Sequence, residues 1–351
     1  MTALYIAIAI LIFGLLVIIH ELGHFITAKL CGIRVEEFSV GMGPMIFSRQ
    51  KGETTYSLRC VPFGGYCAMT GETGGSEDPR AFVNQAAWKR LIVLVAGSFM
   101  NFVLGFVIML CLYAGAEAFV APKIASFMDG CPYESAEGLQ AEDRFLKIDG
   151  HAVYLSADLS DYLDASDTHD LVLLRNGEKV ELKNYPMKRI SYDGYENPMY
   201  GFNLGYDEGT FLNKLRYSWN MCCEFVRWVI QGLQQMFSGQ ASMKDISGPV
   251  GIVDMMAETG ASAESAADGL YNIFYIGAFI AVNLSVMNML PIPALDGGHI
   301  FTLLITCVIE AVTKKKLNPK YEAYIHAAGM ALLLALMALI MFNDIFRLFM
   351  K

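Results

Sequence analysis

Charged residues are scarce in this sequence of 351 residues. Asp, Glu, Lys and Arg make up 17% of the chain, whereas they make up about a quarter of an ordinary soluble domain. Acidic residues outnumber basic ones, with 35 Asp and Glu against 26 Lys and Arg, which gives a net charge of −9. No basic patch with interleaved aromatic residues occurs, so nucleic acid is excluded as an expected partner. The 54% of hydrophobic residues, gathered in long runs, indicates a membrane protein instead.

The cysteines lack the spacing that a disulfide framework or a cysteine zinc site requires. No CxxC pair occurs, and several cysteines fall in apolar segments, where they are expected to behave as small buried hydrophobic residues. The positions are Cys31, Cys60, Cys67, Cys111, Cys131, Cys222, Cys223 and Cys307.

About four stretches are long and apolar enough to cross a bilayer. A further run, Ile300–Val308, is too short to span and is expected to form a buried or half-inserted helix. The first segment is not expected to be a cleaved signal peptide, because it has neither a basic start nor a small-residue cleavage site. The predicted segments are Leu4–Leu30, Leu91–Phe119, Ile273–Leu290 and Ile325–Phe342.

Basic residues concentrate in two of the connecting loops, and this asymmetry predicts the orientation. Loops rich in Lys and Arg remain on the cytoplasmic side, so the region of about residues 120–270 and both termini are expected outside. The first loop contains Lys29, Arg34, Arg49, Lys51, Arg59, Arg80, Lys89 and Arg90, and the last contains Lys314, Lys315, Lys316 and Lys320.

A polar cluster interrupts the first apolar segment before that segment ends. His20 and His24 are one helical turn apart, so both imidazoles face the same side and can bind one Zn²⁺. Glu21 lies beside them and can accept a proton from a metal-activated water. A short HExxH pattern also arises by chance in unrelated chains. Ionisable groups at membrane depth cost free energy, so they are expected there only where they have a function. The zinc site is therefore the preferred interpretation.

A second polar stretch ends the third apolar segment and supplies the missing ligand. In Asn288–His299, two prolines break the helix and two glycines allow a tight turn, and Asp296 follows them. Irregular backbone at membrane depth is tolerated only around a protein-lined or wet cavity. A helix-capping role for Asp296 is the alternative. A catalytic zinc usually takes three protein ligands, which favours Asp296 as the third and leaves His299 as an unlikely one.

These two motifs together resemble the site-2 protease family of intramembrane zinc metalloproteases, in its bacterial regulator-of-sigma-E protease type. The resemblance covers nearly the whole chain and implies that His20, His24 and Asp296 bind zinc. It implies Glu21 as the general base, and Asn288 as a residue that holds substrate or the developing oxyanion.

Three further stretches are similar to parts of this family. Phe38–Pro44 and Thr55–Tyr66 resemble its membrane-associated β-hairpin, which pairs with unwound substrate or is simply structural. Ala96–Asn101 resembles its glycine-to-asparagine stretch, in which Gly97 permits close helix packing. Ser247–Ile252 resembles another family signature whose role does not follow from its residues.

Residues of about 121–190 change to a more charged, strand-forming composition. Asn176 and Gly177 predict a tight hairpin turn. Glu137–Gly150 resembles a bacterial PDZ domain, although that family carries Gly where Glu142 stands. Either a peptide-binding groove or a size filter that excludes bulky ectodomains is consistent with such a domain. Residues 191–270 are expected to hold an amphipathic helix and, in the acidic, Ala- and Gly-rich stretch Ala257–Gly269, a flexible linker.

The sequence therefore predicts a polytopic α-helical membrane protein with a β-hairpin and one inserted PDZ-like domain. The first half of the membrane core is expected in residues 1–120 and the second half in 271–351. The predicted function is zinc-dependent cleavage of transmembrane segments in single-pass proteins such as anti-sigma factors or remnant signal peptides. A non-catalytic membrane PDZ scaffold and a zinc hydrolase of a non-peptide substrate are the alternatives.

Overall fold

The structure is a computed structural model that describes residues 2–72, 74–239, 248–314 and 319–350. It divides into two compact units. One, the helical unit, runs to Leu112 and resumes at Cys222, and the other, the sheet unit, covers Tyr113–Met221. The helices are α1 (Thr2–Leu30), α2 (Ala87–Leu112), α3 (Ser156–Leu163), α4 (Phe211–Phe237), α5 (Pro249–Ala261), α6 (Ala266–Asn288), α7 (Asp296–Thr313) and α8 (Pro319–Met350).

Five of these helices are long and apolar enough to cross a membrane. Four of them, α1, α2, α6 and α8, cover all or most of the predicted segments, and α7 is the fifth. The sequence pattern in α7 shows only a short apolar run, whereas the helix itself reaches 18 residues, near the lower limit for a span. The second segment is shorter than predicted, because α2 ends at Leu112 and a strand begins at Ala118.

Helix α1 packs through one continuous stripe. Tyr5, Ala9, Ile12 and Leu16 follow each other three or four residues apart and are buried, and the same stripe leads to His20. The imidazoles therefore lie on the face of α1 that contacts protein. The partners of the stripe come from α5 and α6: Met256, Ala257, Ile273, Ile280 and Ala281.

Two long strands, β1 (Val35–Lys51) and β2 (Thr54–Met69), form the predicted hairpin, and both bend sharply. Phe38 pairs with Tyr56 on one side and with Cys67 on the other, so the start of β1 lies between the two ends of β2. The last residues of β2 consequently form one edge of this small sheet. Its other edge, the second half of β1, exposes Met45, Ile46 and Phe47.

Part of the expected flexible linker is helical. Helix α5 runs to Ala261 and α6 begins at Ala266, where Ser265 caps its N-terminus by accepting the N–H of Asp268. The Ala- and Gly-rich composition suggested a flexible segment, but Ala257 is buried against α1. Small residues here allow close helix packing rather than disorder. Of the stretch Ser247–Ile252, Ser247 lies outside the described residues.

The sheet unit contains six strands in the order β7-β6-β4-β3-β8, with β5 paired to β4. Its core is built around Phe145, Leu139 and Leu173, which are fully buried. The strands are β3 (Ala118–Phe127), β4 (Arg144–Ile148), β5 (His151–Ala152), β6 (Thr168–Arg175), β7 (Glu178–Pro186) and β8 (Phe202–Glu208).

Two backbone turns of this unit bear on the sequence predictions. The hairpin at Asn176 and Gly177 is confirmed, since both residues have positive φ and join the antiparallel strands β6 and β7. Glu142, at the position where the similar family carries Gly, has φ +71°. The left-handed turn is therefore kept without the glycine, at a steric cost of about 1–2 kcal/mol.

Candidate metal centre

Three side chains from the two ends of the sequence meet inside the helical unit. Oδ2 of Asp296 lies 3.2 Å from Nε2 of His20 and 3.4 Å from Nε2 of His24. The two imidazole nitrogens are 3.2 Å apart. Within the part of the chain that the structure describes, this is the one cluster of three such residues able to hold a metal ion.

The imidazoles are held by groups on the neighbouring helix α2. Nδ1 of His24 donates to the carbonyl of Val93 at 2.8 Å, which leaves the lone pair of Nε2 facing the cluster. Nδ2 of Asn101 lies 3.4 Å from Nδ1 of His20, while Oδ1 of the same amide has no hydrogen-bond partner. Turning this amide by 180° would let Oδ1 accept the Nδ1 proton and fix the same tautomer in His20.

Gly97 lies directly against both imidazoles. A Cβ built at this position would overlap Nε2 of His24 and approach Cε1 of His20 to 2.7 Å. The expectation from the sequence was that Gly97 permits close packing between helices. The structure shows which groups require this glycine: the two imidazole rings fill the space that a side chain at this position would need.

Asp296 reaches the cluster because α6 and α7 are joined by a tight, irregular loop. It is the first residue of α7, and the N-cap position belongs to Leu295, so Asp296 does not cap the helix. Gly297 and Gly298 press against the loop backbone, and a Cβ on either residue would overlap a carbonyl group there. The glycines thus bring the start of α7 back onto the loop, and the positive end of the helix favours a carboxylate there.

Glu21 lies between the histidines in sequence but faces the hairpin. The backbone of Cys67 lies beside its carboxylate and interacts with it electrostatically. A Cβ added at Gly65 would come within 3.4 Å of Cγ of Glu21. The edge of the small sheet formed by the end of β2 therefore runs beside this carboxylate, which the sequence did not reveal.

Asn288 is also brought to the cluster. Its Nδ2 lies 3.5 Å from Nε2 of His20, at the limit of a hydrogen bond. His299 is directed elsewhere, since its ring stacks on that of His326 with 3.6 Å between centroids.

A further carboxylate nearby escaped the sequence analysis. Glu72 follows β2, accepts the backbone N–H of Met69 at 3.3 Å, and interacts electrostatically with Glu21 and Asp296. Burial raises the pKa of Glu72 to about 7. Nothing in the local sequence around Glu72 signals this, because its environment is built by segments distant in the chain.

The donor set fits zinc. Ligand atoms bound at 2.0–2.2 Å in a tetrahedron lie about 3.3–3.6 Å from one another, close to the three separations found here. Oδ2 of Asp296 is buried and makes no hydrogen bond, although two imidazole nitrogens face it. Three lone pairs directed at each other repel unless a cation lies between them, and nitrogen with carboxylate oxygen is a typical zinc environment.

Comparison with known proteins agrees with this geometry. The family model of peptidase family M50 matches residues 8–336. The chain belongs to peptidase family M50. A protein of Clostridium acetobutylicum provisionally named a zinc metalloprotease is 36% identical to this M50 chain over 345 residues, covering 97% of each. Zinc metalloprotease RasP of Bacillus licheniformis and the regulator of sigma-W protease RasP of Bacillus subtilis are 29% and 28% identical, over 97% of this chain and 98% of theirs.

This M50 membership confirms the predicted site-2 protease resemblance. It also confirms the prediction of a metalloprotease with a zinc cofactor, in agreement with the names of the relatives. Five apolar helices within an M50 chain further support a multi-pass membrane protein.

Proposed function

We propose that this M50 chain is an intramembrane zinc endopeptidase that cleaves transmembrane segments of single-pass membrane proteins. One observation carries the proposal: three converging zinc-type donors lie on helices that are apolar enough to span a bilayer. A site in such helices reaches peptide bonds that are themselves embedded in lipid. Ionisable groups at that depth are costly and are retained for function.

Each residue of the site has a proposed role. His20, His24 and Asp296 hold the metal, and Glu21 acts as general base that takes a proton from the attacking water. Zinc, when bound, supplies a Lewis acid for activating water and polarising the scissile carbonyl. Asn288, beside His20, donates from its amide to the developing oxyanion or to the substrate backbone.

The hairpin is proposed to present the substrate. An extended peptide can add to the edge of a sheet through main-chain hydrogen bonds. The edge at the end of β2 passes Glu21, since Gly65 and Cys67 lie beside that side chain. A substrate strand added there would place its carbonyl groups beside the general base. The exposed apolar residues of the opposite edge suit contact with the lipid bilayer.

The chain is proposed to lie in the bacterial cytoplasmic membrane, with the site near the cytoplasmic side. The excess of Lys and Arg in two loops supports this orientation, in which the sheet unit would be extracytoplasmic. The sheet unit is proposed to be PDZ-like, acting either as a peptide-binding module or as a size filter. Because one relative is named a regulator of sigma-W protease, a membrane-anchored anti-sigma factor is the first substrate class to test.

Removal of the proposed third ligand gives the first test. We expect Asp296→Ala to lower zinc content from about one ion per chain to below a tenth, because two imidazoles leave a catalytic zinc site incomplete. Zinc measured in purified protein by elemental analysis, together with cleavage of a tagged single-pass substrate, reports this. Glu264→Ala, at an exposed position between α5 and α6, is the control for loss of a carboxylate. Full zinc in Asp296→Ala would remove this residue from the ligand set.

The substrate helix must unwind before its amides can be attacked, and this gives a second test. Replacing two glycines near the cleaved bond by Ala adds about 2 kcal/mol to the unwinding, equivalent to a rate about 30-fold slower. Cleavage rates of matched substrates in lipid nanodiscs measure the effect. The same replacements at the far end of the substrate helix are the control, and equal rates for both substrates would contradict the requirement for unwinding.

The two alternatives differ in their chemistry. A PDZ scaffold needs none of the three converging donors, and membership of a peptidase family argues against it. A hydrolase of non-peptide substrates would use the same zinc site. Zinc-dependent turnover of lipid without cleavage of any single-pass protein would favour that alternative.

A further inference from the structure

Helix α8 touches the loop between α6 and α7 at two positions one turn apart. Nδ1 of His326 lies 3.3 Å from the backbone nitrogen of Ala294. At Gly329, a Cβ would overlap Pro293 and approach its carbonyl carbon to 2.9 Å. The last helix is thus closely fitted to the loop that precedes Asp296, and glycine is what allows the fit.

The contact of His326 continues through its other nitrogen. The Ala294 N–H donates to Nδ1, so Nδ1 is an acceptor and Nε2 carries the proton. Nε2 donates to Oγ1 of Thr302 at 3.1 Å. The Thr302 hydroxyl in turn donates to the carbonyl of Gly298, 3.0 Å away. The imidazole is buried, so this chain of hydrogen bonds is shielded from competing water.

The chain of hydrogen bonds connects the backbone on both sides of Asp296. Ala294 precedes Asp296 by two residues and Gly298 follows it by two. Ala294 has φ +79°, a conformation that costs a residue with a side chain about 1–3 kcal/mol unless its surroundings enforce it. The hydrogen bond from the Ala294 N–H to His326 stabilises this conformation. His299, stacked on His326, restricts the imidazole from rotating.

We infer that His326 is a positioning residue that holds the Ala294–Gly298 segment so that Asp296 faces the two histidines of α1. This inference rests on the proposed role of Asp296 as a metal ligand. His326 itself contacts neither metal nor substrate in this arrangement. Its effect is to pre-form the turn, so that zinc binding need not order the loop.

Three substitutions at this one position separate the two hydrogen bonds. His326→Asn keeps an acceptor near Nδ1, His326→Gln keeps a donor near Nε2, and His326→Phe keeps the stacked ring while removing both. Loss of the contact to Ala294 is expected to weaken zinc binding by about 10–100-fold, as for other groups that orient metal ligands. We therefore expect Phe and Gln to lose affinity and Asn to retain most of it. Zinc affinity is measured by chelator competition on the full-length protein.

A second measurement, made on zinc-free protein, tests the inference without relying on bound metal or on cleavage activity. Amide hydrogen exchange in zinc-free protein should be slow at Ala294 in the wild type and in His326→Asn, and faster in His326→Gln and His326→Phe. Gly232→Ala, at an open position on α4, is the control for a helix substitution without consequence. Thr302→Val removes the hydrogen bonds of the hydroxyl to His326, Gly298 and His299 but leaves the contact of His326 with Ala294, and it is expected to lower zinc affinity by a few-fold.

The outcomes distinguish this inference from the function on which it depends. Equal zinc affinity and equal exchange at Ala294 in all three His326 variants would overturn the positioning role. An equal loss in all three, including His326→Asn, would also overturn it, because packing alone would then explain the loss. If Asp296→Ala retains zinc, the proposed ligand set fails instead. If Asp296→Ala loses zinc while His326→Phe binds normally, only the positioning role is wrong.

Discussion

Replacing Glu21 by Gln is expected to slow cleavage by about 10²–10⁴-fold while zinc stays bound, since positioned general bases contribute on this scale. Gln has nearly the same size as Glu and fits the same space beside Gly65 and Cys67. It cannot take a proton from water. The histidines and Asp296 are unchanged, so metal content should equal that of the wild type.

The measurement uses purified wild-type and variant protein with a tagged single-pass substrate, in the presence and absence of a zinc chelator. Glu178→Gln, at an exposed position on β7, is a control of the same chemistry. Cleavage by wild type that the chelator abolishes and the Glu21 variant lacks would assign the general base. Equal rates for wild type and Glu21→Gln would remove Glu21 from the reaction.

Replacing Gly97 by Ala is expected to have the second large effect, a loss of zinc affinity of at least about 100-fold together with activity. The new methyl group would occupy the space beside both imidazole rings. Either the rings turn away from Asp296 or α1 and α2 move apart. Both responses separate the three donors, whose mutual distances of 3.2–3.4 Å match one small cation.

The matched control is Gly105→Ala on the same helix. There the new methyl group meets Cγ2 of Val282 at 2.8 Å and the carbonyl oxygen of Ala278 at 3.1 Å, so it presses on α6 and not on the imidazoles. We expect this variant to cost about 1–3 kcal/mol of stability through overpacking, with zinc retained. Zinc content and thermal unfolding of both variants separate the two cases. Equal zinc loss at both positions would trace the effect to helix packing rather than to the imidazoles.

Several features of the site follow from local sequence. The spacing of His20 and His24 places both on one face of a helix whatever surrounds it, because the helical repeat fixes that geometry. The run of apolar residues around them predicts a membrane environment by length alone. The prolines and glycines before and after Asp296 predict a break in the helix, and the structure has an irregular loop there. These signals depend on residues close together in the chain.

Other predictions from composition were less accurate, and the reasons are physical. The Ala- and Gly-rich stretch Ala257–Gly269 suggested a linker, whereas its first residues end α5, its last residues begin α6, and Ala257 packs against α1. Small residues give the same composition in a flexible segment and in a close helix contact, and only the partner surface distinguishes the two. The length of α7 was likewise underestimated, since polar residues at its start concealed a full helix.

The sequence by itself determined the zinc-type motif, the membrane class and the position of the hairpin turn, because each depends on a short repeat or a local backbone preference. Only the tertiary structure decided what surrounds the motif. The carbonyl of Val93, the space at Gly97 and the bond from Ala294 to His326 join segments from distant parts of the chain. A backbone carbonyl, an empty volume and a hydrogen bond across helices leave no pattern along the chain, since they exist only once the helices pack.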